Sequence, residues 1–380
     1  MPARSRMPAP ALPRRTPRTW HGMTLPVWLR LLARNHFAVS PTRLPMALTI
    51  TAVTALNSAA ALVQRARFSR AVAGTPIHPE PLFIVGYWRT GTTLLHELLA
   101  LDGQFAFPTT YQCMAPGHFM VGQRLVTRRL GFLLPEHRPM DSMRLRWDLP
   151  QEDEFALCLL GLPSPYREWA FPRRPFDAAC CLDPDDWPDE QRRRWEAGYL
   201  EFLRGVTMGD GRPLVLKSPT HAARLAVLHR LFPRARFVHT VRDPYSLAAS
   251  LLPAWRRMAE ALGLQRGCRP GLEQALLDRF QQICQRFEAD RERIDPDRIV
   301  DVRYEDLAAH PAAALSGIYR HLGLPHIEAV DSTVARYRAQ VGAYRPNGRE
   351  PAPALRRLVT QYCAAYADRY GYPLDPPSGR

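Results

Sequence analysis

Short, largely apolar runs recur along the chain from residue 81 onward, each separated from the next by a longer stretch with helical spacing. Pro81–Gly86 is the first run, and it ends in glycine. Pro213–Lys217, Arg236–Val241 and Arg298–Val302 repeat the pattern. Runs this short that do not alternate with polar residues suit strands buried on both faces. Between them, Thr92–Leu101, Asp189–Arg204, His221–Phe232, residues 272–293 and Ala312–Leu322 carry apolar positions at helical intervals, such as Leu225, Leu228 and Leu231. Strands alternating with helices predict an α/β fold: three layers, with a central, mainly parallel sheet flanked by helices. Residues 104–180, rich in proline and aromatics, read as loops and helices that cover a site.

The N-terminal part has a different texture. Leu44–Gln64 holds no charge and is bracketed by Arg43 and Arg65, a length near that of a membrane span. Thr49, Thr51, Thr54, Asn57 and Ser58 interrupt it, so a buried or membrane-surface helix is expected in preference to a span. The first twenty residues, rich in arginine and proline, are expected to lack fixed structure. They have no apolar core and make a poor secretory signal. The chain therefore divides into a tail over 1–20, a helical extension over 21–80 and a main domain over 81–375.

Composition adds two constraints. The 380 residues include 51 basic and 36 acidic side chains, a formal charge of +15, with 46% hydrophobic residues, as in an ordinary globular protein. Seven cysteines form no CxxC pair, which argues against a disulfide scaffold or a thiolate metal site and for a reducing, cytoplasmic setting. Every cation but one is arginine; the exception is Lys217. Arginine is a planar fork and lysine a compact point donor on a flexible stem, so a lone lysine marks a position where the fork would not serve. An accidental survivor in an arginine-biased chain is the plain alternative.

Gly86-Tyr87-Trp88-Arg89-Thr90-Gly91-Thr92-Thr93 lies between an expected strand and an expected helix, where backbone N–H groups and a helix N-terminus can hold an anion. The spacing is close to the nucleotide P-loop, but Thr92 stands where that loop needs lysine, and the cation is Arg89 instead. A kinase needs the lysine and a metal-binding carboxylate. The loop fits an anion better than it fits Mg-nucleotide.

Tyr87 through Leu99 resembles the 5′-phosphosulfate loop of sulfotransferases that use 3′-phosphoadenosine 5′-phosphosulfate (PAPS), in the bacterial branch with arginine ahead of the GTT. Three more segments match in order: Leu216-Lys217-Ser218-Pro219-Thr220-His221, Val241-Arg242-Asp243-Pro244 through Ser250, and Arg303-Tyr304-Glu305-Asp306-Leu307. The resemblance implies a P-loop-like fold and PAPS as co-substrate, with no metal site. It implies donor contacts from Arg89, Thr90, Gly91, Thr92 and Thr93 at the 5′ end. Arg242 and Ser250 would serve the 3′-phosphate, and Tyr304 would lie near the adenine. Tyr344–Arg349 is a loose counterpart of a basic loop that closes over the 3′-phosphate in the cytosolic type.

Sulfuryl transfer needs a base for the acceptor proton and a donor for charge on the bridging oxygen. Lys217 suits the donor, assisted by Arg89. For the base, His221 at an expected helix start is favoured, and the cluster Glu152, Asp153, Glu154 is the alternative. That cluster reads equally well as a solvated acidic helix start after Pro150. Arg242 likewise reads, on the plainer account, as an ion-pair partner of Asp243. The expected activity is sulfuryl transfer to a hydroxyl or amine of a small-molecule, lipid or glycan acceptor. A divergent P-loop small-molecule kinase and a non-catalytic basic protein that binds membranes through the N-terminal segment are the rivals. The arginines are spread thinly and no RNA-reading motif occurs, so nucleic acid is not an expected partner.

Overall fold

In a computed structural model that describes residues 17–129, 146–175, 182–341 and 351–374, β1 (Leu82–Gly86), β2 (Val215–Lys217), β3 (Arg236–Val241) and β4 (Ile299–Arg303) form one sheet. All pairings are parallel, in the order β2-β1-β3-β4. The helices in chain order are α1 (Leu25–Arg34), α2 (Leu44–Ala73), α3 (Thr92–Ala100), α4 (Thr110–Met114), α5 (Phe119–Arg129), α6 (Asp153–Leu159) and α7 (Asp189–Thr207). They continue with α8 (Leu225–Leu231), α9 (Pro244–Leu262), α10 (Leu272–Arg291), α11 (Tyr304–Ala309), α12 (Pro311–Leu322), α13 (Val330–Val341) and α14 (Pro353–Tyr370).

Strand periodicity sorts the core into two layers. Leu82 and Ile84 of β1 join Val215 and Val238 under α3, α12 and α13, through Leu95, Ile318 and Val334 among others. Phe83 and Val85 face the other way, with Leu216 and Phe237, and meet a larger cluster from α7, α9, α10 and α14 that includes Trp195, Trp255, Phe280 and Tyr366. The expected three-layer α/β architecture is the one observed. Because the strands are parallel, their C-terminal ends share one edge of the sheet, where α/β folds bind ligands. Gly86, Lys217, Arg242 and Tyr304 each end or directly follow one of the four strands at that edge.

Several boundaries differ from the sequence reading. His221–Phe232 is not one helix: Pro219–Arg224 is a 3₁₀ turn, and α8 begins only at Leu225. His221 therefore does not sit at an α-helix N-terminus. In 3₁₀ geometry residues three apart eclipse, which aims His221 and Arg224 at the same partner segment. The uncharged helix runs on past Gln64 to Ala73. Ordered structure also starts before residue 21: Thr19–Gly22 is a 3₁₀ turn, and the fully buried Trp20 donates from Nε1 to the Leu262 carbonyl at 2.7 Å. The Tyr344–Arg349 segment lies outside the described residues.

Candidate active site

The turn from β1 into α3 is shaped by close packing. Gly86 has φ of 146°, and a Cβ there would collide with the Thr240 side chain of β3. Thr90 Oγ1 donates to the Tyr87 carbonyl at 2.7 Å and lies 2.7 Å from Thr240 Oγ1. The Thr90 hydroxyl and its N–H, which donates to the same Tyr87 carbonyl at 3.3 Å, are thus both engaged in holding the loop. Arg89 and Gly91 both adopt left-handed backbone, with φ of 74° and 94°. Turns of this kind point successive N–H groups into a concavity that suits an anion. Thr92, Thr93 and Leu94 then open α3, where the first N–H groups have no acceptor inside the helix and its dipole is positive.

The second anion motif touches the first. Arg242, the residue after β3, donates from Nη1 to the Arg89 carbonyl at 2.8 Å. Its guanidinium lies 4.1 Å from the centre of the Tyr304 ring, and that ring also packs on Gly91. Tyr366 of α14 fixes the backbone, accepting from the Arg242 N–H at 2.9 Å and donating to its carbonyl at 3.1 Å. Arg242 Nε is buried without a hydrogen-bond partner among the described residues. The ion pair with Asp243 does not form: Asp243 accepts from Ser246 N–H at 2.8 Å as the cap of α9. Two turns along α9, Ser250 Oγ accepts from Arg89 Nε at 2.9 Å. Arg89, Gly91, Arg242, Ser250 and Tyr304 are therefore one cluster, within reach of a single nucleotide with two phosphates.

Lys217, the last residue of β2, is buried, and its Nζ donates to Glu152 Oε1 at 2.5 Å and to Thr93 Oγ1 at 3.4 Å. Tyr166 donates to the other oxygen of Glu152, and Trp88 of the loop donates from Nε1 to the Tyr166 hydroxyl at 3.2 Å. Burial, reinforced by the negative Glu152, holds the Tyr166 phenol well above its ordinary range, so it remains a donor. The acidic cluster is not a solvated helix start. Asp153 Oδ2 accepts from the Tyr199 hydroxyl at 2.6 Å and lies 2.8 Å from His221 Nε2; Glu154 Oε2 meets Arg224 Nη1 at 2.5 Å and the Thr220 hydroxyl at 2.7 Å. Three consecutive carboxylates thus face Lys217, His221 and Arg224, all buried.

The structure separates the two base candidates. Glu152 shares the corner with Lys217 and Thr93 at the anion loop. The His221 ring is fully buried against Phe83, Tyr199 and Asp153. Tyr166 and Tyr366 went unnoticed in the sequence; each is an aromatic among many, and no local spacing singles it out.

Comparison with known proteins gives this geometry its chemical identity. Residues 81–328 match the sulfotransferase family. The chain is 38% identical over 358 residues to the omega-hydroxy-beta-dihydromenaquinone-9 sulfotransferase Stf3 of Mycobacterium bovis, covering 94% of this chain and 92% of that protein. Its namesake in Mycobacterium tuberculosis gives the same figures. Two crystal structures share the fold: sulfotransferase STF9 from Mycobacterium avium, with TM-score 0.62 and 19% identity over 94% of this chain and 98% of that one, and STF1 from Mycobacterium tuberculosis, with TM-score 0.58 and 18% identity over 89% and 90%. A four-stranded parallel sheet whose ligand edge carries an anion loop, in a sequence matched to this family over most of its length, places the chain in the sulfotransferase family as a PAPS-dependent enzyme.

Proposed function

We propose that the enzyme transfers the sulfuryl group of PAPS to the hydroxyl of a lipid-soluble acceptor, with Glu152 as the base in place of His221. The observation that supports this most is the contact of Lys217 Nζ with both Glu152 and Thr93, which sets an amine and a carboxylate side by side at the anion loop. The Glu152 carboxylate takes the acceptor's hydroxyl proton while the acceptor oxygen forms a bond to sulfur. The bond between sulfur and the bridging oxygen breaks, and adenosine 3′,5′-bisphosphate leaves with that electron pair. Lys217, assisted by Arg89, answers the charge on the bridging oxygen. Backbone N–H groups from Arg89 to Thr93, with the Thr92 and Thr93 hydroxyls, hold the 5′ end. Arg242 and Ser250 hold the 3′-phosphate, and Tyr304 lies against the adenine.

A lipid-soluble acceptor is supported by the relatives, which act on a hydroxylated dihydromenaquinone. It is also supported by a cavity of about 630 Å³ between α1, α2 and α7, lined in part by Val27, Phe68, Phe119, Leu159 and Phe202. α6 runs from the residue after Glu152 to Leu159 on the cavity wall, about 10 Å at the helical rise. A cytoplasmic enzyme in contact with a membrane surface would meet such an acceptor where it dissolves.

The test is transfer of labelled sulfate from PAPS into a quinol bearing a terminal hydroxyl on an apolar chain, a glycan and a small phenol. Label in the quinol is expected. Label confined to glycan or phenol rejects the lipid acceptor, and thermal stabilisation by Mg-ATP but not by adenosine 3′,5′-bisphosphate rejects the donor assignment.

A further inference from the structure

α2 is apolar on both faces: Ala47, Ile50 and Val72 are buried against the protein beside a set of polar side chains. Its polar side chains turn toward the protein: Thr51 Oγ1 accepts from Trp28 Nε1 at 2.9 Å, Ser58 Oγ from the Leu25 N–H at 2.9 Å, and Gln64 Oε1 from the Met120 N–H at 2.9 Å. Asn57 Nδ2 donates to the carbonyls of His21 and Met23 at 2.5 and 3.0 Å. The opposite face carries Leu44, Leu48, Ala52, Ala55, Leu56, Ala59 and Leu62, spaced as one helical stripe and exposed to water. Leu48, Leu56 and Leu62 are 69%, 72% and 67% exposed. A helix on a water-facing surface carries charged and polar residues on its outer face instead. A continuous exposed apolar strip of this length marks a contact with something apolar.

Charge says what that is. Residues 1–79 contain eleven arginines and no aspartate or glutamate, so this segment supplies eleven of the fifteen net positive charges of the chain. Arg43 stands at one end of the stripe and Arg65, Arg67 and Arg70 at the other. No ion pair among the described residues engages Arg65, Arg67 or Arg70, and all three are exposed. An apolar stripe bounded by arginines complements the boundary between acidic headgroups and acyl chains. A second copy of the chain fits poorly, because it would bring two uncompensated arginine clusters together.

We propose that α2 lies in the plane of an anionic bilayer, its Leu44–Leu62 stripe immersed at the headgroup boundary and its flanking arginines on acidic lipid headgroups. It does not cross the membrane. The polar residues on its inner face hold α1, the turn before it and the first turn of α5, and immersion on all sides would leave Asn57, Ser58 and Gln64 without those partners. The inference deepens the lipid-acceptor reading, since it says from which phase an acceptor reaches the enzyme. It is tested without acceptor, so the two can fail separately.

The experiment is sedimentation of the full chain with phosphatidylcholine vesicles, with and without phosphatidylglycerol. Leu48→Asp with Leu56→Asp, and Arg65→Gln with Arg67→Gln and Arg70→Gln, serve as variants. Wild type is expected to bind the phosphatidylglycerol vesicles at least about ten-fold more tightly than the neutral ones. The leucine variant should lose binding to both, while the arginine variant loses only the preference. An unchanged thermal shift with adenosine 3′,5′-bisphosphate shows each variant is folded. Vesicle binding by the leucine variant equal to wild type overturns the proposal, as does a wild type that ignores phosphatidylglycerol vesicles. So does a wild-type dimer in solution that the leucine variant returns to monomer.

Discussion

Lys217 Nζ lies 2.5 Å from Glu152 Oε1, and neither group is open to bulk water. One amine cannot serve this carboxylate and the bridging oxygen of a bound donor with full strength at once. Drawing Lys217 toward the donor frees Glu152 Oε1 to meet the acceptor's hydroxyl in its place. Glu152→Gln keeps the size and the hydrogen bond from Tyr166 but cannot take a proton. It should lower kcat by about a hundred-fold or more, with the thermal shift by adenosine 3′,5′-bisphosphate retained. Near-wild-type kcat in this variant would return the base to His221.

His221 carries the matching prediction. It is enclosed by Phe83, Tyr199 and Asp153, and with Glu152 proposed as the base its proposed contribution is to hold α6 against the 3₁₀ turn after β2. His221→Ala takes away the imidazole that faces Asp153, costing on the order of 3 kcal/mol, read as a lowered urea midpoint. His221→Gln can donate to Asp153 and should recover part of that loss. Rates of the folded fraction should stay within about ten-fold of wild type and keep its pH profile, because general bases are worth far more than that. A collapse of kcat in the Gln variant at full stability would reverse the assignment.

Arg242 joins the two anion motifs through its contacts with the Arg89 carbonyl and the Tyr304 ring. Lysine keeps the charge there but loses the planar fork and the stacking. Arg242→Lys should weaken adenosine 3′,5′-bisphosphate binding by about ten- to a hundred-fold, as loss of one charge-assisted bidentate contact does. The KM for PAPS should rise with it while kcat changes little, since the residue does not touch the reacting bond. Unchanged bisphosphate affinity by calorimetry would remove Arg242 from the donor site.

Much of this site is legible in sequence because a parallel sheet delivers its strand ends to one place. Once the apolar runs at 81–86, 213–217, 236–241 and 298–302 are read as parallel strands, Arg89, Lys217, Arg242 and Tyr304 must converge. What is not legible depends on direction. Four residues past Lys217, His221 looks placed to share its site; the 3₁₀ turn carries the ring to Asp153 instead. The burial of Asp153 and Glu154 could not be read from an acidic run after proline, because it depends on the side chains at 221 and 224 arriving from another element. Tyr366 reaches the Arg242 backbone across 124 residues of chain. In α2, hydropathy counts residues without their facing, so it does not tell the buried Ala47 and Ile50 from the exposed Leu48 and Leu56.

Gly91 offers a sharp backbone test. Its φ is 94°, and a Cβ would stand 2.5 Å from Cδ2 of Tyr304. Gly91→Ala meets both penalties: left-handed backbone costs an L residue about 1–2 kcal/mol, and the ring under Arg242 has to move. Loss of bisphosphate binding together with a lowered melting temperature is expected. Full binding with an unchanged melting temperature would mean that the loop does not need this conformation.

The β3–β4 pairing that sets Tyr304 beneath Arg242 carries a pH dependence of its own. His239 and Asp301 are register partners on these strands; His239 Nδ1 lies 2.8 Å from Asp301 Oδ1, and Arg291 Nη2 donates to Oδ2 at 3.0 Å. Burial alone would raise the Asp301 carboxyl, but the hydrogen bonds and charges of His239 and Arg291 outweigh it and hold the group at about 2, below its ordinary 3.8. A carboxyl depressed on folding adds stability that is full above its unfolded pKa and disappears as pH falls through the folded one. The window is therefore about pH 4 down to about pH 2. With the side chain 33% exposed, solvent screening leaves about 1 kcal/mol of this. Asp301→Asn should be less stable than wild type at pH 6, and the gap should close through that window in urea titrations. A gap that holds constant from pH 6 to pH 2 would show that the Asp301 charge does not stabilise the strand pair.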